Sequence, residues 1–473
     1  MLKILLIFIP VTLLLYLILT NVNLAAGKEK LSFLISPPTR TKLADVFNTA
    51  SGAFQDIIYH DQQSEFPFHQ PYGTGVGIYP GRVVWTHDPA SVAWDGKGYW
   101  WNPDHFDEKI IGQMVRQNIM SLTGTDTAAN GWNMLFTKHN EAQGNQTGYI
   151  PGQKIAIKVN LNGTSEYSED SSGETQVSYA NPVLLKTVLT SLIDDAGVRP
   201  EDITVYDVSR LFPKYMVAMC TEGKLNGVNF VGRDTAVADK TAPIVWSQQF
   251  DGSDVVSYLP TVVTEASYII NLANLKGHSW GISLCAKNNF GSFINDNYVR
   301  PPVGANLHPF MTDKKMDTYT PLVDLMANKQ LGGKTILYML DALISAPSEE
   351  AAVTGENTKW QQPPFDNNYT ASIFVSQDPV AIDSVGADLL MNEPTILSEN
   401  GAIRHHPEIE SYLHEAGQIA AAPSGVTYYD GTGHAVKNLG THEHWTNTRD
   451  KTYTRNQSNK NGIELLYIDM TKQ

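Results

Sequence analysis

Cysteine is nearly absent. The only two, Cys220 and Cys285, lie far apart and form no CxxC pair, which excludes a cysteine-built zinc, iron–sulfur or dithiol centre. In an oxidising compartment they could close one disulfide. Both sit in apolar stretches, Met216 to Cys220 and Ile282 to Ala286, where a free cysteine behaves as a small core residue, and that reading is preferred. No basic tract occurs either. With a formal charge of −15 and a pI near 5.3, the chain lacks the clustered Lys and Arg that phosphate neutralisation on nucleic acid requires, and its folded body has no attraction to anionic lipid. Low-complexity blocks and solenoid-spaced repeats are missing. So are the GxGxxG fingerprint, the P-loop and HExxH, which takes weight from the common nucleotide and zinc-protease classes.

Long apolar runs are also scarce, with one exception. Behind Lys3, Ile4 to Leu19 is apolar apart from Pro10 and Thr12, somewhat short for a spanning helix and followed by the small-residue stretch Leu24 to Gly27. Residues 1–27 therefore read as a signal peptide or N-terminal anchor, and no cysteine follows to carry a lipid. The expected location is extracytoplasmic: periplasmic, secreted, or held to the membrane by this segment alone. Residues 28–75, broken by Pro37, Pro38, Pro67 and Pro71, read as an irregular N-terminal segment. Residues 76–473 are ordinary globular sequence, drawn from a chain that is 42% hydrophobic and 18% charged.

Periodicity gives that domain its class. A strand is expected from Arg82 to Thr86, followed by an aromatic loop with Trp94, Tyr99, Trp100 and Trp101 that suits either a core or a sugar platform, and then a helix over Asp107 to Leu122. Lys154 to Asn160 alternates as a strand. Asn181-Pro182 supplies the cap and first turn of a helix, and Ile203 to Val208 returns as a strand, completing a βαβ crossover. Further strands are expected at Val228 to Val231, Tyr268 to Leu272, Thr335 to Leu340, Ser372 to Ser376 and Ile463 to Ile468, with a helix over Asp378 to Met391. The predicted fold is α/β, a mixed, largely parallel sheet flanked by helices, with long loop insertions.

The densest polar stretch follows one of these strands. YIINLANLKGHSWGISLCAKNNFGSF, Tyr268 to Phe293, empties an apolar strand into a loop holding Lys276, His278, Lys287, Asn288 and Asn289, where ligands of parallel sheets bind. Gly277, Gly281 and Gly291 would let the backbone come close to a ligand. Against a functional reading, the same polar groups could satisfy loop backbone. Lys158 and Asn160 end the strand KIAIKVN; Lys158 either pairs with a carboxylate or lies on an edge strand. Asp207 puts a carboxylate at the same sheet edge, or caps the following turn. In SQDPVAIDSVGADLL, Asp378 reads as a helix cap, and Asp383 as either a solvent-exposed carboxylate or a partly buried partner of Lys158 or Lys287. The late histidines, His405, His406, His414, His434, His442 and His444, match no zinc pattern. His442-Glu443-His444 is too short to specify a tetrahedral site, so no metal ligand is assigned.

KVNLN, the Asn-Pro helix start, YDVS, LKGHSWGISLCAKNNFGSF, His308 in NLHPF and DPVAIDSVGADLL together resemble the bacterial domain of unknown function 362 family, over roughly residues 77 to 470. Some members carry ferredoxin-like cysteine runs; this chain has none, so the resemblance implies no iron–sulfur chemistry here. It supplies no reaction. His278, Lys287 and His308 in that order are also similar, at loose spacing, to the residues of lactate racemase-type enzymes, too general a pattern to assign their nickel cofactor; the cofactor stays unassigned. From the residues, the expected function is an enzyme acting on a hydroxylated or carboxylate-bearing small molecule or carbohydrate. Lys276 and Lys287 would hold anionic oxygens, His278 would move protons, with Asp383 beside them, and Lys158, Asn160, Asp207, Asn288, Asn289 and His308 would line the substrate. The competing expectation is a non-catalytic extracytoplasmic ligand-binding or surface-assembly protein.

Overall fold

Strands β2 (Ile155–Val159), β5 (Tyr268–Asn274) and β6 (Thr335–Ala342) are buried along nearly their whole length, as continuous apolar strands must be when helices cover both faces of a sheet. They form the middle of an eight-stranded sheet whose other members are β1 (Arg82–His87), β3 (Ile203–Tyr206), β4 (Asn229–Val231), β7 (Ser372–Ser376) and β8 (Glu464–Asp469). The spatial order is β8-β1-β7-β6-β5-β2-β3-β4. Only β7 runs against the rest, pairing antiparallel with β6 on one side and β1 on the other. The computed structural model describes residues 66–164, 175–249, 256–279, 281–295 and 315–472. The expected export segment, most of the irregular N-terminal segment and His308 lie outside the described residues.

Successive strand residues face opposite layers. Val84, Ile157, Ile270, Ile373 and Val375 point into one core, closed by α1 (Glu108–Thr123), α2 (Ala128–Glu141) and α3 (Pro182–Asp194). Val83, Trp85, Leu340 and Phe374 point into the other, closed by the short helices α4 (Cys285–Asn288) and α5 (Pro321–Ala327) together with α6 (Pro379–Met391) and α7 (Pro407–Gly417). The described residues belong to one compact unit, Ser64–Gln473. Among them no helix is long and apolar enough to cross a membrane.

The expected elements are present with ends shifted by a residue or two. The capping chemistry acts as read: the Asn181 side chain accepts from Val183 N and Leu184 N, with Pro182 in the first turn of α3. Asp378 does the same for Val380 N and Ala381 N on α6. Helices α2 and α7 were not anticipated. In α2, Trp132, Leu135 and Phe136 supply a short apolar stripe; in α7, Ile409, Tyr412, Leu413 and Ala416 do so behind Pro407. Both cysteines are buried free thiols. Of the aromatic loop, Trp94 and Trp100 belong to the core, while half-buried Trp101 stacks on Tyr215 at 4.3 Å and on Tyr99 at 5.0 Å.

Candidate functional site

From β2 the chain builds outward through β3 to β4, then returns across the sheet to lay β5 on the other flank of β2. The order reverses between β2 and β5, and in parallel sheets the crevice at such a reversal, beyond the carboxyl ends of the strands, is where ligands bind. Lys158, Asp207, Asn271 and Lys276 stand at or near those ends.

Lys158 forms the floor of this crevice. Its strand is interior, so the edge-strand alternative falls, and its ammonium lies 2.6 Å from Val159 O, 3.1 Å from Asp207 Oδ2 and 3.1 Å from Asn288 Oδ1. An ammonium has three N–H groups, and these three acceptors use them all. Asp207 is also engaged on both oxygens: Oδ2 accepts from Leu161 N at 3.0 Å, and Oδ1 accepts from Ser209 N at 2.9 Å and Ser209 Oγ at 2.6 Å, so it pairs with a lysine and caps the turn at once. Asn288 Nδ2 donates to Asn271 Oδ1 at 2.8 Å, and Asn271 Nδ2 donates to Asn289 Oδ1 at 3.3 Å. Asn160 Oδ1 accepts from Asn162 N at 3.0 Å, and its amide lies 3.4 Å from Ser283 Oγ. Lys158, Asp207 and Asn288 thus hold the crevice together from below and present no spare donor to a ligand. Gly291 belongs to this floor, because a Cβ there would collide with Asp207 and with Lys158 Nζ. The close approaches expected of Gly277 and Gly291 are made to protein: Gly277 lies against the Pro347 carbonyl.

Above the floor lie Lys276, Lys287, His278 and Glu349. Lys276 is buried and donates to Ser178 O at 2.8 Å. Lys287 places its ammonium 4.1 Å from the Phe290 ring centroid, a cation–π distance. Burial lowers both lysines to about 7, against the pull of Glu349; the positive charge of Arg210 pushes the same way as burial on both, and that of Lys276 adds to it for Lys287. His278 Nδ1 is 3.4 Å from Glu349 Oε1, and the same carboxylate accepts from Ser279 N at 2.7 Å and from the Ser279 hydroxyl. Asn162 Nδ2 donates to Glu349 O at 3.2 Å and Arg210 Nη2 donates to Asn162 Oδ1 at 3.1 Å, so the loops after β2, β3 and β6 meet here. Glu349 and Arg210 were not singled out from the sequence. Their loops carry no motif, and only the sheet order brings them to the lysines.

Asp383 departs from both expectations for it. It is neither exposed nor paired with a lysine: its oxygens accept from Cys285 N and Ala286 N, each at 2.9 Å, and from Tyr412 OH at 3.2 Å. Desolvation raises its carboxyl to about 6, with the two amides pulling the other way. It clamps the first turn of α4, the helix that carries Lys287 and Asn288, and so acts as a positioning residue.

Beside α6 a second cluster assembles from residues the sequence left unassigned. His442 Nε2 lies 3.3 Å from His69 Nε2 and 3.4 Å from Glu410 Oε2, and His414 Nε2 lies 3.4 Å from the same carboxylate oxygen. His444 spans two carboxylates, with Nδ1 2.6 Å from Asp388 Oδ1 and Nε2 2.9 Å from Glu410 Oε1; the second contact is an ion pair without hydrogen-bond alignment. The cue available in the sequence was Glu410 and His414 four apart on one helix face, but His69 and His442 are too distant along the chain for any spacing to join them.

No curated protein matches the chain. The stretch from Ile155, the first residue of β2, to Asp388 on α6, which carries the crevice floor and both of its lysines, matches over residues 155–388 the family described as Domain of unknown function (DUF362), and the chain belongs to that family.

Proposed function

We propose that this chain is an enzyme acting outside the cytoplasm on a hydroxylated small molecule or carbohydrate that carries a carboxylate, bound in the β2/β5 crevice. The observation that carries this reading is the pair Lys276 and Lys287, buried at the carboxyl edge of a parallel sheet and brought to about 7 by desolvation. An amine titrating near neutrality can take a proton from substrate and return it, while its protonated form offsets a carboxylate's charge. His278, beside Glu349, is a second proton carrier, oriented by that carboxylate. Lys158, Asp207, Asn288 and Asp383 fix the floor and α4 on which this chemistry stands. The apolar run behind Lys3 supports export.

The test is a thermal-shift and mass-spectrometric screen of hydroxy acids and acidic sugars on the full chain. At least one should raise the melting temperature saturably in the wild type and be recovered chemically altered. Lys287→Met and His278→Ala, folded by circular dichroism, should abolish the turnover. Ligand recovered unchanged would favour a binding protein, and no shift with any carboxylate would overturn the substrate class.

A further inference from the structure

The geometry points to a metal site outside the family segment: we propose that His69, Glu410, His414 and His442 bind a divalent first-row transition cation of the zinc type through three imidazole nitrogens and one carboxylate oxygen.

One donor atom from each of the four residues lies within 4.8 Å of all the others. Tetrahedral ligands about 2.05 Å from a shared zinc sit about 3.3 Å from one another. The measured approaches, 3.3 Å for His69 to His442 and 3.4 Å for Glu410 to each of His442 and His414, have that spacing.

The tautomers sharpen the case. His69 Nδ1 lies 2.8 Å from Gln70 O, and a carbonyl can only accept, so the proton of the neutral ring sits on Nδ1. Ser384 Oγ donates to Val380 O at 2.7 Å, so towards His442 Nδ1, 2.9 Å away, it acts as an acceptor, and the proton of that ring too sits on Nδ1. Two Nε2 lone pairs therefore face each other with the Glu410 carboxylate alongside. Such an arrangement repels itself unless a proton or a metal cation lies between the donors, and four convergent donors suit the metal.

Each ligand is also held from behind, as metal ligands commonly are. Gln70 O orients His69 and Ser384 orients His442; Asp317 Oδ1 lies 3.5 Å from His414 Nδ1, and His444, backed by Asp388, faces the other oxygen of Glu410. Three nitrogens and one carboxylate suit zinc and its neighbours, whereas magnesium and calcium need oxygen-rich shells. The ligands come from three segments: the stretch before Tyr72–Gly73, helix α7, and Thr441–His442, which pairs with Tyr72–Gly73. The cation would bind these together.

The test uses the full chain, stripped with chelator, dialysed, and titrated with Zn²⁺, with Co²⁺ as the spectroscopic probe. One tightly held Zn²⁺ per chain is expected, and Co²⁺ should give the intense visible bands of a tetrahedral site. His69→Ala and His414→Ala, at half-buried ligands whose loss leaves the core intact, should each lower affinity at least 100-fold. Ser384→Ala, which removes only the support of His442, should lower it roughly 10- to 100-fold. His434→Ala, at an exposed histidine outside the cluster, should change nothing. Failure of the wild type to retain Zn²⁺, or equal retention by His69→Ala and His414→Ala, would overturn the site. Neither result bears on the lysine crevice.

Discussion

Lys276 and Lys287 give the crevice a pH signature that can be measured before any substrate is known. Their ordinary value is 10.5 and folding lowers it to about 7, so between these limits the unfolded chain binds more protons at these positions than the folded one. Folding stability therefore rises with pH through that window on their account, and the cost of burying them as ammonium ions is greatest at and below its lower end. Glu349, Arg210, Asp341 and Asp207 are the other charged groups they feel. Lys276→Met should flatten the rise in urea midpoint between about pH 7 and about pH 10, whatever it does to the absolute stability. An unchanged slope would show that Lys276 is not a depressed amine. The sequence placed these lysines in one polar stretch after a strand, and the structure keeps both buried beyond β5. The sequence could not sort Lys158 from them, because a lysine's role is set by its acceptors, and Asp207 and Asn288 lie 49 and 130 positions away.

Among the helices, α3 and α6 were legible because their starts are written in local chemistry, an Asn or Asp cap with proline in the first turn. Asn181→Ala should lower stability by about 1 kcal/mol, or up to about 2, since its side chain satisfies two amides that are buried and have no other partner. Denaturant melting would measure this, and a change within about 0.3 kcal/mol would show that the cap contributes nothing, contrary to the usual effect of such caps. The direction of β7 was not legible. Ile373, Phe374 and Val375 fill both layers equally well either way round, and the one cue, a connection from β6 to β7 without a crossover helix, permits an antiparallel pair but does not name its partner. Nor could the sequence show that α6 serves two sites, Asp383 clamping α4 while Ser384 and Asp388 support the histidine cluster.

At the scale of the molecule, the sheet closes its far side with its last strand: β8 lies parallel to β1, with Glu464 opposite Arg82 and Asp469 opposite His87. Arg82 Nε donates to Glu464 Oε2 at 2.8 Å, and Tyr467 packs on Trp85 with ring centroids 4.6 Å apart. Truncation before Glu464 would strip β1 of this neighbour and leave an apolar strand as a bare edge, so the shortened chain should aggregate or melt at a markedly lower temperature, as light scattering and calorimetry would show. A monodisperse truncate with unchanged melting would contradict that role. The α/β class and the two-layer organisation were legible from periodicity; the strand order was not, because it depends on contacts between residues hundreds of positions apart.

The pairing of β1 with β8 also sets a timetable. Arg82 and Glu464 are 382 positions apart, so during synthesis β1 must wait for that length of polypeptide before its outer edge is paired. Until then the outer row of backbone N–H and C=O groups on β1 stays open to whatever holds unfolded chains in solution.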